Sequence, residues 1–176
     1  MSVNIMDPFT TERLTLRPFH ADDADALFTN VFGHPEVMYF SAYGTHATIG
    51  DTLPYLERYI AHQARRGFSI WAVEDRKSGD FIGMCGLIER DYNDESSDIE
   101  LGYRLRPEYW GHGLATEAAA AWVAHGFETL DLDRIIAFVR PAHKASLHVL
   151  DKVGFKYVGE RMSSGKQAAY LVLDRV

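Results

Sequence analysis

The chain has 176 residues, 47% of them hydrophobic, 12% aromatic and 24% charged, which is the size and mix of one globular domain with a core of its own and no room for a second. Eighteen Lys and Arg against 25 Asp and Glu give a net charge of -7, which repels polyanions and excludes nucleic acid as the main ligand. The single Cys85 cannot close an internal disulfide, no Cys/His cluster has zinc spacing, so no metal is expected, and no stretch nears the roughly 18 apolar residues of a membrane span.

The opening Met1–Asp7 lacks the basic, apolar and small-residue order of a signal peptide, so the chain is expected in the cytoplasm, neither exported nor in a membrane. Leu14, Leu16 and Pro18-Phe19 then follow with period-two apolar spacing as a strand, and Asp22-Asp23 caps a helix from Ala24 to Val31. His34-Pro35 reads as a loop, and Asp51 to Arg66 as an amphipathic helix that Gly67 stops. From Phe68 the period falls to two: Phe68–Val73 and Phe81–Ile88 form a hairpin about the turn Arg76–Asp80. Asn93–Ser97 is a second polar turn, in which Asp91, Asp94, Glu95 and Asp98 read as a solvated acidic loop. Ile99–Leu105 is a strand ended by Pro107, Ala115–Thr129 a helix, Arg134–Val139 a strand, and His143–Val153 a helix closed by Gly154; two short strands finish the chain. Strands and helices alternate without a strict βαβ repeat, which implies a mixed α/β (α+β) fold.

The chemistry concentrates where a strand stops and a helix starts, Leu105-Arg106-Pro107-Glu108-Tyr109-Trp110-Gly111-His112-Gly113-Leu114-Ala115-Thr116-Glu117-Ala118. The first N–H groups of a helix have no internal partner and lie at the positive end of its dipole, and glycines let a phosphate approach the backbone. Such glycines also serve in plain tight turns. A Walker loop is excluded because Leu114-Ala115 follow Gly113, and a dinucleotide fingerprint because Thr116 stands where a small residue is required.

Trp110-Gly111-His112-Gly113-Leu114-Ala115 resembles the acyl-CoA loop of the GNAT superfamily of N-acetyltransferases, closest to its Rim-like branch, which includes ribosomal-protein N-terminal acetyltransferases. Four more stretches resemble that branch in order: Thr11–Pro18, His34–Met38, Phe81–Gly83 and Ala145–Phe155. The resemblance implies a single GNAT domain over 1–176, with a central mixed, mostly antiparallel sheet of about seven strands flanked by about four helices. It implies acetyl-CoA as co-substrate, an amine acceptor such as a peptide N-terminus or a small amine, and a homodimer as a frequent arrangement. It assigns the diphosphate to the loop Trp110, Gly111, His112, Gly113, Leu114, Ala115 and Thr116, and the pantetheine arm to the strand Tyr103, Arg104 and Leu105. The acetyl carbonyl would meet an amide near Leu105, a contact usually worth about 10² to 10³ in rate.

Three positions depart from the superfamily pattern. Trp110 replaces a Gln or Arg, so a side-chain contact to phosphate is lost while the amides remain. His143 replaces an Asn that contacts the CoA arm; it reads equally as a plain helix-start residue. Leu150 replaces the Tyr that protonates the leaving thiolate. The Rim-like branch has a Ser one turn earlier, and the resemblance implies Ser146, on the same helical face, as the donor, though a Ser there also serves as a backbone capper. A thiolate is a modest base (pKa about 8.5), so an acid helps without being indispensable. The acceptor amine must be neutral to attack, which calls for a base. Glu100 is the first candidate, with a cross-strand charge pair as its other reading; Glu89 and His112 follow. Cys85 reads as buried, and Tyr39, Phe40, Tyr43 and Trp71 as cleft or core aromatics. With no activated nucleophile, transfer would be direct, through a tetrahedral intermediate. The rival is a non-catalytic acyl-CoA sensor; a weaker third reading is transfer of a longer acyl chain or to a hydroxyl.

Overall fold

A computed structural model describes residues 7–90 and 98–176; the turn expected at Asn93–Ser97, with Asp91, Asp94 and Glu95, lies outside them. The described residues form β1 (Phe9–Thr10), β2 (Leu14–Arg17), α1 (Ala24–Leu27), α2 (Pro35–Met38), α3 (Ile49–Arg66), β3 (Ile70–Asp75), β4 (Phe81–Glu89), β5 (Ile99–Leu105), α4 (Leu114–Glu128), β6 (Arg134–Val139), α5 (Lys144–Val153), β7 (Lys156–Ser163) and β8 (Lys166–Asp174). The eight strands make one sheet in the order β1-β2-β3-β4-β5-β6-β8-β7. Neighbours are antiparallel except β5 and β6, which α4 joins as a crossover. The expected mixed, mostly antiparallel sheet is present, with one strand and one helix more than expected.

The extra elements are short. Phe9–Thr10 pairs only with Leu16 and Thr15 of β2, too brief for a period-two signal. The expected loop at His34-Pro35 begins α2 instead, because Pro35 occupies the first helical turn, where a missing N–H costs nothing. The helix expected over Ala24–Val31 ends as α1 at Leu27 and widens into a π turn over Phe28–Phe32, closed by Gly33 N–H donating to the Phe28 carbonyl at 2.7 Å. The last two strands are longer than expected, and β7 is an edge strand with Lys156, Glu160 and Arg161 along it, charges that discourage edge pairing. Thr48 caps α3, with Asp51 accepting its N–H at 2.9 Å, so the helix begins at Ile49, two residues before the expected Asp51.

Side chains alternate across a strand, and here the alternation builds two cores. On one face Cys85, Leu87, Leu101 and Leu105 pack against Leu114, Ala118 and Trp122 of α4 and Leu150 of α5. On the other, Ile70, Ala72 and Met84 pack against Leu27, Phe32, Leu56 and Tyr59 from α1, the π turn and α3. The sheet therefore separates an α4/α5 side from an α1/α3 side.

Candidate active site

The ladder fails at one place. Strands β4 and β5 pair from Glu89↔Ile99 to Gly83↔Leu105, and β6 pairs with β8 along its whole length, yet β5 meets β6 only at Glu100↔Ile136. Past Glu100 the two strands diverge and open a cleft through the sheet, about 980 Å³ in volume. Arg106 N–H donates to the Ile82 carbonyl of β4 at 2.8 Å, so by strand alternation the amides of Leu105 and Tyr103 point to the opposite, cleft-side edge. A row of main-chain groups is left there for an extended ligand to pair with.

At the cleft's α4 end, Gly111 and Gly113 have φ of +75° and +78°, a left-handed backbone that a side chain strains. Gly113 caps α4 and lines the cleft with Gly111, Leu114, Ala115 and Thr116. The Trp110 indole N–H donates to the Leu105 carbonyl at 2.7 Å, so this side chain ties the loop to the strand end instead of reaching for an anion. His112 is exposed and its side chain is not among those lining the cleft; its carbonyl accepts from Arg13 Nη1 at 2.8 Å. The same Arg13 donates from Nε to Glu117 Oε2 at 2.7 Å and from its main-chain N–H to Oε1 at 2.8 Å. Thr11 Oγ1 adds a third bond to Glu117 at 2.5 Å. Glu117, in the first turn of α4, thus clamps the β1–β2 turn against the glycine loop. Burial pushes its carboxyl up, but the bonds from Thr11 and Arg13 outweigh that and leave it lowered.

On the α5 side, His143 caps the helix and its Nδ1 accepts the Ser146 N–H at 3.3 Å, which leaves Nε2 as the protonated nitrogen of the neutral ring. Burial, then Arg104, holds His143 below its ordinary value, and its ring stacks on Phe40 at 4.2 Å. Ser146 Oγ lies 2.8 Å from the Tyr103 hydroxyl, which also donates to the Ser146 carbonyl at 3.1 Å. Tyr103, Ser146 and His143 all line the cleft, as does Leu150. Burial raises the Tyr103 phenol well above its usual value, and its bond to Ser146 offsets part of that.

Glu100 lies where β5 and β6 part. Its Oε2 is 3.1 Å from Arg90 Nη1, so it is a cross-strand charge pair and a cleft-lining carboxylate at once. Burial raises its carboxyl above the ordinary range, while Arg90, Arg104 and Arg58 pull it down. Glu89, by contrast, is bound by Arg66 at 2.9 Å and Arg65 at 3.4 Å and does not line the cleft. Cys85 is fully buried and its thiol is pushed far up by that burial, so it is no nucleophile. Tyr39 and Phe40 line the cleft. Trp71 does not: it is fully buried, edge-on to Trp122 at 5.0 Å, and Tyr43 lies outside with its hydroxyl 2.7 Å from Ser164 Oγ.

Residue types alone give Tyr103 only a backbone role and do not mark Arg13 or Glu117. Both lie inside the stretches Thr11–Pro18 and Leu105–Ala118, and opposite charges in two family-like motifs are the signal that joins them. The phenol's reach to α5 had no signal along the chain, since it depends on how far the strands part.

A family profile described as an acetyltransferase (GNAT) domain matches residues 13–156. The chain is 32% identical over 150 residues to the uncharacterized N-acetyltransferase YoaA of Bacillus subtilis (strain 168), covering 85% of this chain and 82% of that protein. It is 28% identical over 106 residues to the spermidine N(1)-acetyltransferase of Escherichia coli (strain K12), covering 60% of this chain and 53% of that protein. The fold matches the crystal structure of a GNAT-family acetyltransferase from Bacillus anthracis with a TM-score of 0.80 at 23% identity, over 96% of this chain and 98% of that one. Sequence and fold agree along nearly the whole length, and the chain belongs to the GNAT family of acetyl-CoA-dependent acetyltransferases.

Proposed function

We propose that this chain is a Rim-like N-acetyltransferase that moves acetyl from acetyl-CoA directly to a primary amine. The observation that carries the reading is the cleft through the sheet, with a glycine-lined helix N-terminus and a run of unpaired strand edge on one side and a half-buried carboxylate at its apex. The donor set suits the co-substrate. Arg140, Lys144 and Lys152 line the cleft in a chain whose net charge is -7, which favours a ligand bearing several phosphate charges. The amides from Gly111 to Thr116 would hold the diphosphate, the edge of Tyr103 to Leu105 the pantetheine arm, and His143 Nε2–H one of its carbonyls. Acetyl-CoA supplies an activated thioester; the chain supplies positioning and proton transfer.

In this reading Glu100 takes the proton the amine loses, directly or through a water, as the amine nitrogen bonds to the acetyl carbon and the carbon–sulfur bond breaks. Ser146 donates a proton or hydrogen bond to the departing sulfur, backed by the Tyr103 phenol. Ser146 is not itself acylated: the nearby His143 Nδ1 accepts from its main-chain N–H and not from its hydroxyl, so no base activates Oγ. The relative named for spermidine acetylation supports an amine acceptor as a class.

The test is thermal stability with and without acetyl-CoA, followed by thiol release across amines. Stabilisation with amine-dependent release is the expected result. Stabilisation without release from any amine favours the sensor reading, and no stabilisation at concentrations well above micromolar removes the basis of both.

A further inference from the structure

Resting on the acetyltransferase reading, we propose that the acceptor is a primary amine carrying a carboxylate close to its amino group, the amino-acid class, with Arg104 as the residue that holds the carboxylate. The cleft opens on both faces of the sheet, and the register assigns the faces. Tyr103 and Leu105 pair across from Cys85 and Gly83, whereas Arg104 and Glu100 pair across from Met84 and Ile88. Directly paired residues share a face, and Met84 and Ile88 belong to the α1/α3 core. Arg104 and Glu100 therefore face away from α4 and its glycine loop, on the side left for the second substrate.

On that side Arg90 and Arg104 differ in their partners among the described residues. Glu100 already has Arg90 at 3.1 Å, and the Arg90 guanidinium lies over Phe138, 3.8 Å from the ring centroid. Arg104 lines the cleft with its guanidinium 5.8 Å over the Phe32 ring. Among the described residues no carboxylate lies within ion-pair distance of it. Arg58 acts on the same Glu100 carboxylate. The histidines within Arg104's electrostatic reach, His46 and His143, are both held below their ordinary value with burial as the first cause. Two further carboxylates are near: Glu36, exposed at the cleft's rim, and Asp51, occupied by Thr48.

The Arg104 guanidinium, with no ion-pair partner among the described residues, does two things to an acceptor. It lowers the pKa of an amine bound there, which raises the neutral, attacking fraction. It also repels a second positive charge and rewards a negative one; a planar guanidinium on an aromatic face offers a carboxylate two parallel N–H bonds. A polyamine loses on both counts.

The experiment compares acceptors that differ only in this group: α-amino acids against their amides, and spermidine, scored by kcat/KM for thiol release. The carboxylate form is expected to exceed its amide at least about 10-fold, although the amide's less basic amine is more often neutral. Arg104→Gln should raise KM for the acid at least about 10-fold more than it raises KM for the amide, Arg104→Lys should restore part of the difference, and Arg104→Glu should shift preference toward spermidine. An independent readout is melting temperature with CoA present, which the acid should raise and the amide should not. Peptides beginning with Asp or Glu distinguish a polypeptide source of the same chemistry. Amides or spermidine matching the acids in the unaltered protein overturn the proposal, as does an Arg104→Gln variant that loses both members of a pair equally. Stabilisation by acetyl-CoA with no acid accepted overturns it too, and leaves the acetyltransferase reading standing; absence of that stabilisation strikes the earlier reading itself.

Discussion

The Tyr103 hydroxyl lies 2.8 Å from Ser146 Oγ and 3.1 Å from the Ser146 carbonyl, a bond that bridges the cleft from the edge of β5 to the first turns of α5. It joins a strand residue to the helix position one turn before Leu150, and it brings a phenol to the site from which the superfamily's helix Tyr is missing. Two hydroxyls in one chain can pass a proton outward while the second refills the first.

Loss of the Ser146 hydroxyl should therefore lower kcat more than it changes KM for acetyl-CoA. Ser146→Ala is expected to cost about 10- to 100-fold in kcat, the low end of general-acid effects because a thiolate is a modest base. Tyr103→Phe should cost less, and the double variant should be close to Ser146→Ala alone, since groups acting as one unit are not additive. Steady-state kinetics on the three variants check this; independent, multiplying losses would separate the two residues.

As the proposed base, Glu100 sets the expected pH dependence. A base must be deprotonated, and burial holds this carboxyl above the ordinary range, so kcat/KM should fall on the acid side with a midpoint above the usual glutamate value of about 4.3. Arg90 works in the opposite direction, and removing it moves that midpoint further up. Arg90→Met should shift the acid limb to higher pH, and Glu100→Gln should abolish it along with most activity. For stability the sign is reversed from the common carboxylate case. A raised folded pKa means the protonated state is favoured in the fold, so Glu100's contribution is fully present at low pH and lost as pH rises through the folded value.

How far this site could be read along the chain depends on distance in sequence. The glycine loop and the helix it caps are local, so Gly111 and Gly113 stand out from residue types alone. Thr116 and Ser146 come only with the family resemblance, and spacing adds no more than that Ser146 shares a helical face with Leu150. The two faces of the cleft were out of reach, because they depend on which β4 residue stands opposite which β5 residue and on where the parallel pairing stops. The short α2 is not legible along the chain since a Pro at a first turn and a Pro in a loop look the same, and Trp71 stays open between cleft and core there because an aromatic residue in a strand carries no mark of which face it takes.

The clamp under the glycine loop predicts a cofactor-binding defect at a residue that lines no part of the cleft. Glu117→Ala removes the acceptor of three hydrogen bonds from Thr11 and Arg13, and should cost about 1–2 kcal/mol of stability, the range of a lost helix-end partner. Acetyl-CoA affinity should fall several-fold in titration calorimetry while kcat at saturating acetyl-CoA stays within about two-fold. Arg13→Lys should give a similar fall, because the bond from Nη1 to the His112 carbonyl and that from Nε to Glu117 need a forked group. Undiminished affinity in both variants would show that the glycine loop holds its shape without the clamp.

Restoring the superfamily residue at Leu150 should not improve the protein. Leu150 is 1% exposed and packs in the core between sheet and helix, and a Tyr there adds a bulky ring to a filled space. The expected loss is about 1–3 kcal/mol from overpacking, visible as a drop in melting temperature. Nor is a proton donor lacking at that end of the cleft, since the Tyr103 phenol already reaches Ser146 one turn away. Leu150→Tyr is therefore expected to lower both stability and kcat. A different result follows if the phenol of Tyr103 only braces the strand: the new Tyr would then raise kcat in a Tyr103→Phe background. Measuring kcat for Leu150→Tyr in both backgrounds separates a strand residue that has taken over the helix tyrosine's role from one that merely packs beside its vacated position.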